Sequence, residues 1–478
     1  MSFAEYTVLS SDENVKNRLR EMVNATLDAI LSQVTSDEAY SGIGPYDLRE
    51  RINSLRILPD KGEGFEKTLK TVEKEILPHL LRTWSTSYMP HLHSPALLEA
   101  VAAELIIALY NDSLDSWDQG PAATEIEVRV IRELCSLFGY GSESDGVFTS
   151  GGSGSNLSAA IQARDTYCMR HLNWDIKKKG LPPEGGRLRL YTSEISHFSF
   201  DKSAHIMGLG YDAVVHLPVD GKMKIDVKKA EEIIRRDAEA GLLPFMITAT
   251  AGTTDFGSID DVEALRRIAD RYGMYLHVDA AYGSGAVMSE KYRTRLGRLE
   301  LADSITVDFH KMFLLPISCS CLLVRNKETL SAFELHADYL NREEDEEDGY
   351  INLVGKAIQT TRRADALKVF MAFSVRGRDG YGAIIDHVIG NASYFYSRLK
   401  ADEAFITGPE PELSSVVFAL RDGDEVNKKV RRDLMSRGTV IGQTVMSGRV
   451  MLKFTLLNPE LTHEHIDELI KTIRAYSL

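Results

Sequence analysis

Cysteine is scarce in this chain: Cys135, Cys168, Cys319 and Cys321 are the only four in 478 residues. That usage fits reduced, partly buried thiols in a cytoplasmic protein. Cys319 and Cys321 form a C-x-C pair with no second half nearby, so a zinc site is not expected. Positive charge is also in short supply. The chain has 56 Lys and Arg against 70 Asp and Glu, a net charge of −14. Non-specific nucleic-acid binding needs a positive surface, so it is not expected, whereas a cationic small substrate remains compatible. Long apolar runs are missing too. The most apolar helical stretch, "LLEAVAAELIIALY", is interrupted by Glu99 and Glu104 and is too short and polar to span a bilayer. The opening residues, "MSFAEYTVLSSDENVKNRLREM", lack a basic region followed by an apolar core, so no signal peptide is expected. No internal repeat and no low-complexity linker is found.

The remaining composition, 44% hydrophobic and 26% charged, is that of a soluble globular protein. The length exceeds what one compact core supports and implies two or more domains. Residues 1–85 read mainly as helices, because "ENVKNRLREMVNATLDAILSQV" and "GFEKTLKTVEKEILPHLLRTW" repeat apolar residues every three or four positions. Pro59, Gly62 and Gly64 separate them. From about 96 to 330, helices alternate with short apolar runs: "LRLYTS", "DAVVHLP", "FMITATA", "MYLHVDAA", "SITVDF" and "SCSCLLVR". Several are apolar on both faces, as strands covered by helices on each side must be. The alternation predicts a mostly parallel α/β sheet. After an acidic segment, "HADYLNREEDEEDGY", a long helix over roughly 361–400 leads to "SSVVFAL", "TVIGQTVM" and "RVMLKFTLL", which predict a smaller α+β domain. The expected division is an N-terminal helical segment over 1–95, a large α/β domain over 96–375 and a small C-terminal domain over 376–478.

Four stretches carry chemistry. "TSGGSGSN" (149–156) sits between a strand and a helix. Its glycines let backbone approach a ligand, and the helix N-terminus offers free N–H groups to a phosphate, with Ser153 and Ser155 as hydroxyl donors. A tight turn without ligand has the same sequence, since neither the Walker lysine nor the G-x-G-x-x-G spacing is present. "HVDAAYG" (277–283) places Asp279 at the end of an apolar strand, where α/β proteins put their sites. His277 and Asp279 share a face by alternation, but no third metal ligand is evident; a helix-capping role for Asp279 stays open. His197, in "SEISHFSFDKSAHIMG", lies in a turn after a strand, where a lone histidine is more often structural than catalytic. Lys311 follows the strand "SITVDF" among apolar neighbours. A buried ammonium is costly, and a lysine in an apolar pocket becomes a nucleophile able to form a Schiff base. A phosphate loop, an acid for a ring nitrogen, an aromatic-like ring and an imine-forming lysine together match the demands of pyridoxal 5'-phosphate.

On "SWDQGPAATEIE" (116–127), "GVFTSGGSGSNL" (146–157), "SHFSFDKSA" (196–204), "ATAGTTDFGSIDD" (249–261), "LHVDAAYG" (276–283) and "DFHKM" (308–312), the chain resembles the fold-type I, group II pyridoxal-phosphate-dependent amino acid decarboxylases. Within them it is most similar to the L-2,4-diaminobutyrate and lysine decarboxylases of siderophore and diamine pathways, through "NDSLDSWDQGPAAT", "PISCSCLLVRN", "HADYLN" and "IQTTRRADALK". The resemblance implies a mostly parallel seven-stranded sheet in the large domain. It also implies a homodimer with sites at the subunit interface and N-terminal helices packed across the two-fold axis.

By position, the resemblance makes Lys311 the Schiff-base lysine, Asp279 the acid at the pyridine nitrogen and His197 the stacked imidazole. It puts Gly152 and Ser153 in the phosphate loop, Thr254 beside the cofactor, Ala281 under the ring and His310 near the phosphate. Tyr339 becomes the mobile-loop tyrosine that helps protonate the intermediate. Asp308 departs from the pattern: aromatic decarboxylases carry asparagine there, and a carboxylate beside a phosphate is repelled unless it points elsewhere or is balanced. Arg362 and Arg363 are candidates for the substrate carboxylate, or for surface ion pairs. The acids Glu343 to Asp348 read as a solvated loop or as an attractor for a cationic substrate. The implied reaction is decarboxylation of a basic L-amino acid (L-2,4-diaminobutyrate, lysine or ornithine). An aromatic substrate is the alternative, because "MFLLPISCSC" is apolar, and glutamate or aspartate comes after that. An oxidative aldehyde synthase is disfavoured by Tyr339, and a non-catalytic phosphate-binding module predicts no adduct on Lys311.

Overall fold

A computed structural model describes residues 8–335 and 348–477. Tyr339 and residues 343–347 of the acidic segment lie outside the described residues. The chain opens with α1 (Glu13–Leu31), α2 (Pro45–Asn53) and α3 (Phe65–Glu75). The predicted helix over 64–84 is shorter than its apolar periodicity suggested. It stops at Glu75 and a single 3-10 turn at Leu77–His79 follows, because Pro78 has no N–H to extend the ladder. Helix α2 was not foreseen; Pro45 occupies its first turn, where a missing N–H costs nothing. Then come α4 (Leu98–Tyr110) and α5 (Pro121–Leu137).

The main sheet follows: β1 (Asp145–Thr149), β2 (Leu188–Ser193), β3 (Val214–Leu217), β4 (Leu243–Thr250), β5 (Tyr275–Asp279), β6 (Ser304–Asp308) and β7 (Ser320–Val324). Its seven strands run in the order β1-β7-β6-β5-β4-β2-β3. All pairs from β6 to β3 are parallel, and only β7 runs against its neighbours β1 and β6. This is the mostly parallel seven-stranded sheet that the sequence implied. β5, β6 and β7 are buried at every position, consistent with helices on both faces. The pleat sorts the side chains. Cys321 and Leu323 of β7 join one core with Leu276, Val278, Ile305 and Val307. Leu322 and Val324 join a second core with Ala159, Ala160 and Ala163 of α6 (Gly152–Leu172). Those three alanines are fully buried and let α6 lie close over the sheet.

The helix Ala366–Lys400 leaves this layer and turns at Gly377, whose φ of 61° suits glycine alone. The expected domain boundary at 375/376 falls inside this helix. Beyond it, β8 (Phe405–Thr407), β9 (Ser415–Leu420), β10 (Gly442–Met446) and β11 (Arg449–Thr455) form an antiparallel sheet in the order β10-β11-β9-β8. β8 escaped sequence reading because three residues are too few to show a period. Phe395, Phe418 and Phe454 centre the core of this sheet. The N-terminal segment is tied to the same region: Met89 N–H donates to Val440 O at 3.0 Å, and Val440 N–H to Ser87 O at 2.9 Å. Among the described residues no helix is long and apolar enough to cross a membrane.

Candidate active site

The carboxyl ends of β1, β4, β5 and β6 point the same way, and a cavity of about 360 Å³ opens there. Eight of the nine site residues expected from the sequence line it: Gly152, Ser153, His197, Thr254, Asp279, Ala281, His310 and Lys311. The ninth, Tyr339, lies outside the described residues. Leu92, Ser150, Thr250 and Tyr282 also line the cavity, and the sequence reading did not single them out. Ser150, Thr250 and Tyr282 lie inside the quoted motifs, whereas Leu92 is brought there by packing alone.

Lys311 stands three residues past the end of β6. Its Nζ lies 2.8 Å from Asp308 Oδ2, so the awkward carboxylate and the awkward ammonium balance each other. Asp308 is 2% exposed and also accepts a hydrogen bond from Ser320 Oγ. While its amine is free, Lys311 neutralises Asp308. His310 is anchored by its ring, whose Nδ1 lies 2.9 Å from the carbonyl of Cys319. That contact requires the proton on Nδ1, and Nδ1 then cannot accept from the Cys319 N–H 3.4 Å away.

The glycine loop meets these groups directly. A Cβ on Gly152 would stand 2.9 Å from Asp308 Oδ2, so only glycine lets the start of α6 close over the lysine–acid pair. No described side chain caps α6, which leaves its first amides open toward the cavity. Ser153 is exposed to the cavity. Ser155, the other expected donor, is turned away and buried, with its Oγ 2.7 Å from Thr149 Oγ1.

Asp279 ends β5 with one oxygen accepting Ala281 N–H at 3.1 Å and the other accepting Asn156 Nδ2 at 2.8 Å. His277 is no metal ligand in this arrangement: its Nδ1 lies 2.8 Å from Ser304 Oγ and its Nε2 3.1 Å from Asn156 Oδ1. Complete burial pushes its imidazole down to about 4, so it is neutral at ordinary pH. His197 stacks on Phe198, with centroids 4.3 Å apart, and accepts Ser199 N–H on Nδ1 at 3.2 Å. Burial lowers its basicity as well, against the opposing pull of Asp279.

Arg362 is not available to a substrate carboxylate. Its guanidinium is buried against Glu127, with Nη2 2.9 Å from Oε1 and Nη1 3.0 Å from Oε2. Arg363 pairs with Glu104 and Asp365 on a half-exposed face. Both were drawn toward the site by sequence because "TTRR" gives no sign of which acids lie opposite.

The cavity fits pyridoxal 5'-phosphate on three observations. An open helix N-terminus begins at Gly152, where an added Cβ would meet Asp308 Oδ2 at 2.9 Å. Thr250 Oγ1 is buried at the cavity wall and has no partner among the described residues. A primary amine, an acid and an imidazole converge on one space.

Known proteins agree. Residues 45–421 match the family described as the pyridoxal-dependent decarboxylase conserved domain. The chain is 37% identical to an L-2,4-diaminobutyrate decarboxylase of Rhizobium meliloti, over 98% of this chain and 93% of that one. It is 34% identical to the L-2,4-diaminobutyrate decarboxylase of Acinetobacter baumannii, over 99% and 96%. Among solved structures it is 35% identical to a Vibrio parahaemolyticus protein, described as the glutamate decarboxylase domain of diaminobutyrate-pyruvate transaminase and L-2,4-diaminobutyrate decarboxylase. That match has a TM-score of 0.90 and covers 98% and 97% of the two chains. The chain therefore belongs to the pyridoxal-dependent decarboxylase family, and it is an amino acid decarboxylase whose cofactor is pyridoxal 5'-phosphate.

Proposed function

We propose that the enzyme decarboxylates a basic L-amino acid, L-2,4-diaminobutyrate before lysine or ornithine. The observation that carries this reading is end-to-end similarity to two relatives named for that substrate. The aromatic alternative has weaker support, because both of these end-to-end relatives are named for L-2,4-diaminobutyrate.

The site residues take the following parts. Lys311 holds the cofactor through Nζ and gives way to the substrate amine. The opening amides of α6 at Gly152 and Ser153, with His310, hold the phosphate. Thr254 lies beside the cofactor. Asp279 would accept from the ring nitrogen, and Ala281 and His197 would flank the ring, with His197 excluding water. When bound, the cofactor supplies a sink for the electron pair left as the carboxylate departs. Asp308 receives the Lys311 ammonium whenever the lysine is free, which keeps that charge off the apolar wall. Tyr339, which lies outside the described residues, would be the proton donor to the substrate Cα.

The reading includes a cytoplasmic homodimer with sites at the subunit interface, and no nucleic-acid or membrane partner. Helix α4 supports the dimer. Ala100, Ala103 and Ile107 pack inward, yet Leu98, Val101 and Leu105 on the other side are 81%, 48% and 45% exposed. An apolar face left exposed on this helix wants cover, which a second copy provides. The four cysteines are free and buried, as a reducing compartment permits.

The test is to incubate the enzyme and cofactor with the common amino acids, ornithine and L-2,4-diaminobutyrate, and to identify the amine by mass spectrometry. The expected product is 1,3-diaminopropane. An aromatic amine as the main product would overturn the substrate assignment. Absence of a borohydride-reduced adduct on Lys311 would overturn its role.

A further inference from the structure

Behind Asp279 lies a buried polar chain that the reaction as described does not use. Asn156 is 1% exposed, and His277, Ser304 and Thr306 are 0% exposed. Buried polar groups persist only when each finds a partner, and here the partners form one directed network.

Its orientation follows from donor and acceptor capacity. Asn156 Nδ2 lies 2.8 Å from Asp279 Oδ2 and 2.9 Å from Ser199 Oγ. A carboxylate only accepts, so the amide must turn its NH2 toward Asp279. Its Oδ1 then faces Thr306 Oγ1 at 2.7 Å and His277 Nε2 at 3.1 Å, and both must donate. The neutral imidazole carries one proton, so that proton is on Nε2, and Nδ1 accepts from Ser304 Oγ at 2.8 Å. Ser304, His277 and Asn156 thus donate in series and the series ends on Asp279. The second Asn156 proton goes to Ser199, whose backbone N–H holds His197 at 3.2 Å. One amide is tied to both groups that flank the cofactor ring.

We propose that Asn156 is a positioning residue for the decarboxylation: held by His277 and Thr306, it fixes the Asp279 carboxylate toward the ring nitrogen and couples it to the His197 side of the ring. Asn156 borders the cavity but is 1% exposed, and it acts through Asp279 and Ser199. It leaves Asp279 an acceptor on the cavity side and spends both amide protons on the two ring-flanking elements. This inference rests on the pyridoxal-phosphate reading of the site and refines it.

The experiment uses holoenzyme loaded with cofactor labelled with 15N in the ring, in the wild type and in Asn156→Leu, Thr306→Val and His277→Gln. The ring-nitrogen chemical shift reports protonation at the atom that Asp279 serves. In the wild type the shift is expected to be that of a protonated ring. In Asn156→Leu it is expected to move toward the unprotonated value, and the cofactor dissociation constant to rise about tenfold or more, the loss of one hydrogen bond to a charged group. Thr306→Val, which takes one donor from Asn156 Oδ1 at little change of volume, is expected to move the shift in the same direction by less, and it carries the test if Asn156→Leu does not fold. His277→Gln keeps a donor toward Oδ1 and is expected to leave the shift near wild type. A merely structural role for Asn156 would lower the melting temperature while leaving the shift unmoved, and that result overturns the proposal. Failure of the underlying reading looks different: the wild type itself would then give no reducible adduct on Lys311.

Discussion

Replacing Arg362 separates two roles that sequence alone left side by side. The guanidinium is 5% exposed and its partner Glu127 is 1% exposed. Two nitrogens reach two carboxylate oxygens at 2.9 and 3.0 Å, and Nη1 also donates to Phe148 O at 3.2 Å. Glu127 in turn accepts Phe148 N–H at 3.1 Å. The pair therefore clamps the end of β1 just before the glycine loop. Arg362→Met leaves a buried carboxylate without its counter-ion, a loss of about 3–5 kcal/mol for a broken buried pair. With an unfolding entropy of about 2 cal/mol/K per residue, a chain of this length loses roughly 1 °C per kcal/mol, so the melting temperature should fall by about 3–5 °C. Calorimetry on Arg362→Met, Glu127→Leu and the double variant checks this. The double variant should recover most of the loss, because two apolar side chains leave no charge stranded. A substrate-anchoring arginine would behave otherwise: KM would rise while the melting temperature stayed within about 1 °C of wild type. That outcome would refute the clamp.

Gly152→Ala should weaken cofactor binding about tenfold or more, since its Cβ meets Asp308 at 2.9 Å and that carboxylate is held by Lys311 and Ser320; a fluorescence titration of the apoenzyme reads it. His277 governs part of the acid limb of stability. Its folded value of about 4 lies below the ordinary 6.5, so its contribution is whole above about pH 6.5 and is lost as pH falls to about 4. The amount is on the order of 3 kcal/mol, and urea midpoints of His277→Gln should fall less steeply than wild type across that window. Asp260, pushed up to about 6 by burial, acts in the opposite sense in both proteins, so the difference between them isolates His277. Leu98→Glu with Val101→Glu on the outer face of α4 should shift sedimentation from dimer to monomer; an unchanged dimer would place the interface elsewhere.

Much of this molecule was legible from its residues because the signals are local. Several strands between "LRLYTS" and "SCSCLLVR" are apolar on both faces, and that pattern belongs to a sheet covered on both sides. Lys311, Asp279, His197 and the glycine loop each stand at the end of a strand or the start of a helix, and their combination matches the needs of one cofactor. Helix ends were less legible. Pro78 stops α3 early, and a three-residue strand such as β8 has no period to read.

What the sequence determined by itself was the list of reactive groups, since those are set by side-chain chemistry and by their placement at element ends. What only the tertiary structure decided was pairing. Asp308 is paired with the free amine of Lys311, three residues away and facing it. Arg362 is withdrawn from the site by Glu127, and His277 is withdrawn from metal chemistry by Asn156 and Ser304. Glu127 stands 235 residues from Arg362, and Asn156 stands 121 from His277. A charge or a lone pair is satisfied by whatever lies opposite it in space, and over such separations that partner is chosen by the packing of the sheet and its helices, which no local pattern records.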